Sequence, residues 1–112
     1  MTATLMDSPC ARAIWDALPM AGFATRWGDE VYFSIAVDVP LESASREVLD
    51  AGDLGYWPTG NAFCIFFGPT PLSQGDEIRA ASAVNVVGKV DGTLTPLLEV
   101  KNGTRICLEQ VL

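Results

Sequence analysis

The chain reads as a mainly β domain: a small closed β-barrel with one N-terminal helix and short helical turns at the barrel ends. Three observations lead there. Short apolar runs rich in aromatic and β-branched residues recur along its 112 residues, and glycines and prolines fence them at close spacing. The densest segment, residues 53–71 (DLGYWPTGNAFCIFFGPTP), holds runs too short for a free-standing helix and too aromatic for a loop. Hydrophobic residues make up 49% of the chain, enough for one core, and neither an internal repeat nor a composition shift marks a second domain.

The elements follow in chain order. Ser8-Pro9 starts a helix: the hydroxyl accepts a free backbone N–H, and proline's missing donor costs nothing at the first helical position. Ala11, Ile14, Trp15 and Leu18 then recur on one helical face and Pro19 stops it, giving a helix over 9–18. From Gly22 to Val39 the period changes to two. Phe23, Thr25 and Trp27, then Val31, Phe33, Ile35 and Val37, form two strands around a Gly28-Asp29 turn, and Pro40 closes the second. Residues 41–52 read as an excursion across one barrel end. Leu54–Trp57 and Ala62–Phe67 are strands joined around Pro58–Gly60, Gly68–Gly75 is an exposed loop, and Val84–Val90 is an interior strand. Thr95-Pro96 repeats the helix-start chemistry, while Asn102-Gly103 equally suits a hairpin between 97–100 and 104–111. Ile106, Leu108 and Val111 supply the last strand.

Charge narrows the partners. Fourteen acidic and seven basic residues leave a net charge of −7, with no cluster of Lys and Arg, which argues against nucleic acid and anionic membrane. No apolar run approaches the ~20 residues of a membrane span, and the N-terminus lacks the features of a signal peptide, so a cytoplasmic setting is expected. Three scattered cysteines (10, 64, 107) suit reduced thiols, and Cys64 and Cys107 read as small core residues. Histidine is absent altogether. That excludes a Ser-His-Asp triad, a Cys-His pair and any zinc site that needs imidazole. No glycine sits in a phosphate-cradling motif, and no cofactor or metal is implied.

Four blocks carry a resemblance: Trp27–Phe33 (WGDEVYF), Gly52–Pro58 (GDLGYWP), Phe66–Pro71 (FFGPTP) and Ala83–Val90 (AVNVVGKV). They resemble the signature blocks of a small prokaryotic family of atypical cyclophilin-like proteins, over most of the chain from about Ser8 to the C-terminus. The resemblance implies a compact β-barrel capped by helices, a first strand shortened to Thr2–Met6, and a short helix rather than a hairpin after Thr95. It implies no particular reaction. A more distant similarity to true cyclophilins, the peptidyl-prolyl isomerases, runs through Gly60–Phe67 and Val86–Gly92. Those enzymes hold proline in an apolar pocket and set an arginine against a peptide bond whose rotation has a barrier of ~18–20 kcal/mol. The segment carrying that arginine, with its Phe-Met-x-Gln, has no counterpart here. Near Cys64 and Leu72 the isomerases carry an aromatic residue, and near Val84 a histidine.

Candidate site residues have paired readings. Tyr56, Trp57 and Phe66 either line an aromatic cleft at the barrel mouth, with Pro58 at its rim, or fill the core. Asp29 and Glu30, beside Arg26 and Tyr32, form a polar constellation able to do acid–base work if one carboxylate is buried and its pKa raised. The simpler reading is a turn with an Arg26–Glu30 surface ion pair. Asn85, among apolar β residues, either bonds a neighbouring loop or touches a ligand. The leading expectation is a domain binding a small molecule or short peptide in the cleft. The alternatives are a prolyl isomerase with a displaced arginine, Arg26 or Arg79, and a structural module, monomeric or homodimeric through a strand edge.

Overall fold

In the computed structural model, which describes residues 1–112, the order is β1 (Thr2–Leu5), α1 (Pro9–Ala17), β2 (Met20–Phe23), β3 (Thr25–Trp27), β4 (Glu30–Ser34), β5 (Arg46–Leu49), β6 (Asp53–Trp57), β7 (Ala62–Phe66), β8 (Ile78–Asp91) and β9 (Arg105–Leu108). Single 3₁₀ turns occupy Pro58–Gly60 and Thr95–Glu99. The main sheet is antiparallel and runs β1-β8-β6-β7-β4-β3, with β5 added against the first half of β8. β2 and β9 form a separate ribbon. The chain is therefore mainly β with one α-helix, but no sheet closes on itself as the expected barrel requires. β1 and β3 remain its two ends because β2, which precedes β3, spends its backbone donors on β9.

Period-two alternation sorts the main sheet into two apolar faces. On β7, Phe63 and Ile65 join one cluster while Ala62, Cys64 and Phe66 join the other. β6 divides the same way, Leu54 and Tyr56 against Trp57. Helix α1 covers the first face with Cys10, Ala11 and Ile14. Its start is the expected one: Ser8 Oγ accepts the Ala11 N–H at 3.2 Å and Pro9 opens the first turn. Burying Ile14 fully contributes about 2 kcal/mol. Trp15, expected on that buried face, sits at its rim, partly exposed. The second face is covered by β5 and the first half of β8, whose Leu49, Ile78 and Ala80 pack with Cys64 and Phe66.

Several expectations are corrected. The interior strand expected over Val84–Val90 is 14 residues long, because the alanine-rich residues 78–83 continue it. The excursion over 41–52 contains β5, an exposed strand whose pairing with β8 shifts register between Arg46 and Val48. The second hairpin strand ends at Ser34 instead of reaching Val37. Beyond it the Ile35 N–H bonds the Asn61 carbonyl at 2.8 Å, and the Tyr56 hydroxyl donates to the Val37 carbonyl, so the backbone is satisfied without a ladder. After Thr95 the chain forms the 3₁₀ turn and not the hairpin. Val111 is 76% exposed and outside any strand. Cys107 is also exposed, since Ile106 and Leu108 take the inward positions of β9.

Candidate functional site

The site grows from the β3–β4 hairpin. Gly28, at φ +59°, supplies the left-handed turn residue that other side chains disfavour. The resulting register sets Trp27 opposite Glu30 and Thr25 opposite Tyr32. Cross-strand partners share a face, so Trp27, Glu30 and Tyr32 all project to the second side of the sheet. Farther along that face Tyr32 pairs with Cys64, Glu30 with Phe66, and Trp57 with Ala62. Trp27, Tyr32 and Trp57 border a cavity of about 220 Å³, whose remaining walls are Glu30 and, from β8, Ala80, Ala81 and Val84.

Trp57 is held in place on two sides. Its indole Nε1 donates to Ser82 Oγ at 2.6 Å, and its ring meets Tyr32 edge-on at 6.3 Å between centroids. Gly60 makes room for it, because a Cβ there would lie 2.8 Å from a ring carbon of Trp57.

Glu30 is the one charged residue bordering the cavity, and it is only 5% exposed. Burial pushes its carboxyl from the ordinary 4.5 up to about 7, with the neighbouring Cys64 thiol holding it lower than burial alone would. Burial raises the Cys64 thiol as well, and the Glu30 charge adds to that rise. Near neutral pH, Glu30 thus exists in both forms. Protonated, it offers a hydrogen-bond donor; ionised, it offers a negative charge beside three rings. No group of three or more Cys, Asp or Glu side chains is placed to hold a metal ion.

The cyclophilin-like family model matches residues 1–109. The chain belongs to the cyclophilin-like family. This cyclophilin-like chain is also similar to the solution structure of the hypothetical protein AF2241 from Archaeoglobus fulgidus, with a TM-score of 0.81 and 42% identity over 97% of this chain and 85% of that one. Among curated proteins no match is found.

Of the residues expected at the cleft, Trp57, Glu30 and Tyr32 come together in this cyclophilin-like domain. The others lie elsewhere. Tyr56 is fully buried on the α1 face, its hydroxyl bonded to the Val37 carbonyl and to Asn61 Nδ2 at 2.9 Å, because it neighbours Trp57 on β6 and must point the opposite way. Phe66 is fully buried in the second cluster and does not border the cavity. Asn85 takes the structural reading: Oδ1 accepts the Glu42 N–H at 2.8 Å and Nδ2 donates to the Pro40 carbonyl at 3.0 Å.

Arg26 shares Val31's register, off the cavity face, and pairs with Asp29 at 2.9 Å instead of Glu30. Its remaining donors go to the Gly28, Leu98 and Val100 carbonyls, and its guanidinium lies 5.0 Å from the Phe67 ring centroid. Arg79 pairs with Glu77 at 3.1 Å and Glu47 at 3.9 Å. Neither arginine borders the cavity. Sequence reasoning missed Trp27 and Ser82 as parts of the site. Trp27 had a usable signal, since a two-residue turn at Gly28-Asp29 makes it the cross-strand partner of Glu30.

A second cavity, about 210 Å³, lies between α1, β1 and β9 and is bordered by residues such as Ile14, Leu18, Leu5 and Leu108. Thirteen of its fifteen bordering residues are hydrophobic, so it lacks the convergent polar groups that orient a ligand.

Proposed function

We propose that this cyclophilin-like domain binds a small molecule, or a single side chain of a short peptide, in the Trp27–Tyr32–Trp57 cleft. The observation that carries the reading is the convergence of three rings from three strands on a cavity with one buried carboxylate. Pockets that bind specifically are mostly apolar with a few placed polar groups, which is the composition here. Volume limits the occupant. An apolar cavity of about 150 Å³ accepts benzene, so about 220 Å³ suits a group only modestly larger. The three free cysteines support a reducing, cytoplasmic setting, and the archaeal relative supports a prokaryotic family.

Titration of a peptide and metabolite panel against tryptophan fluorescence tests this function. A saturable response that Trp57→Leu abolishes is expected, and silence across a broad panel would overturn it. The more distant similarity to true cyclophilins keeps prolyl isomerisation as a second reading. Against it stands the commitment of Arg26 and Arg79 to carbonyls and carboxylates away from the cleft. A prolyl-peptide isomerisation assay separates the two, and the expected rate is the uncatalysed one.

A further inference from the structure

Resting on the reading that the cleft binds a ligand, we infer that its occupant is a small organic cation, with an alkylammonium head held among Trp27, Tyr32 and Trp57 and paired with Glu30. Four observations on the site agree. Three π systems border one cavity, and electron-rich ring faces attract ammonium groups most strongly where water is excluded. Glu30 takes part in none of the ion pairs of the fold, so its ionised form is open to a countercharge brought by a ligand.

No lysine or arginine of the protein borders the cleft. Arg26 is consumed by Asp29 and three carbonyls, and Arg79 by Glu77 and Glu47. Finally, the volume of about 220 Å³ admits a head group with a short stem and little more. An anionic ligand meets the opposite situation: a buried carboxylate and a net charge of −7 both repel it.

The titratable groups facing Glu30 are few. Tyr32 stands on its own strand and Cys64 on β7, while β3 contributes Trp27 and β8 contributes Ala80, Ala81 and Val84, none of them ionisable. The Cys64 thiol, raised by burial, stays protonated through the neutral range. Binding of a cation that does not itself titrate therefore follows the ionisation of Glu30, strengthening as pH rises through about 7.

Choline and its uncharged carbon isostere, 3,3-dimethylbutan-1-ol, make the deciding pair. They differ in charge and hardly in shape, and choline carries no titrating amine. Titrations followed by the indole N–H resonances should show choline saturating at pH 8.5 at least about tenfold more tightly than the isostere. That preference should shrink toward unity at pH 5.5. Glu30→Gln, which keeps the side chain's shape, should lose the preference at every pH. Retained folding of the variant is read from its circular dichroism, and Glu30→Met serves as a second neutral form.

Equal affinities for the two probes, or a preference untouched by both Glu30 variants, overturn the cation inference and leave the binding function standing. Silence from both probes and from the whole panel overturns the binding function itself.

Discussion

Glu30 ties the stability of the fold to pH. Its carboxyl prefers the proton in the folded state, about 7 against an ordinary 4.5, so the native protein binds more protons than the unfolded chain between those values. The contribution is fully present below about 4.5 and is lost as pH rises through 7, amounting to about 3 kcal/mol once the group is ionised. Glu30→Gln removes that slope. Urea unfolding of both proteins at pH 4.5 and pH 8.5 should show the variant gaining about 2–3 kcal/mol relative to wild type at the higher pH. A difference between the two that does not change with pH would contradict the burial of this group. Trp57 offers a second residue-level test. Ser82→Ala removes the acceptor of its indole N–H and should cost about 1 kcal/mol. Gly60→Ala presses a methyl on the ring and should cost about 1–3 kcal/mol. Both should shift the Trp57 indole resonance, and an unmoved signal in both would mean the ring is not held as described.

At the scale of elements, Asn85 reaches α1 through an intermediary. Its side chain pins the backbone at Pro40 and Glu42, and Glu42 Oε2 in turn accepts the Cys10 N–H at 3.0 Å, one of the donors left free at the start of α1. Asn85→Ala should therefore cost about 2–3 kcal/mol and raise hydrogen exchange at Cys10, although the two residues lie 75 positions apart in sequence. Exchange that rises only at 40–42 would break the proposed relay. This relay was invisible in the sequence, where Asn85 announces a need for partners but not their identity. The hairpin around Gly28 was legible, because the turn glycine and the flanking alternation both fix it. Strand β5 was not. Arg46–Leu49 exposes three of its four residues, and its partner is the alanine-rich start of β8, which carries little β signal of its own. The cleft was half legible for the same reason. Its hairpin wall follows from local turn chemistry, whereas Ala80 and Ala81, with Ser82 bonded to the Trp57 indole, lie on β8, which reaches β6 only through a pairing remote in sequence.

The molecule as a whole is two apolar clusters back to back on one sheet. The first contains Ile14 and Val87, and the second contains Leu49 and Phe66. Residues on opposite faces share no partners, so Ile14→Val, at about 1 kcal/mol, and Leu49→Ala, at about 2–5 kcal/mol, should add. A double variant departing from the sum by more than about 1 kcal/mol in urea unfolding would show the clusters to be one unit. β8 belongs to both, with Val84 in one and Val87 in the other. It also bonds to β1, β5 and β6, all of which precede it across the exposed Leu72–Asp76 loop. A protease cut within that loop would thus sever the polypeptide without separating its halves: the C-terminal fragment would stay zipped to its complement, and the two pieces, expressed apart, would be candidates for reassembly into a working whole.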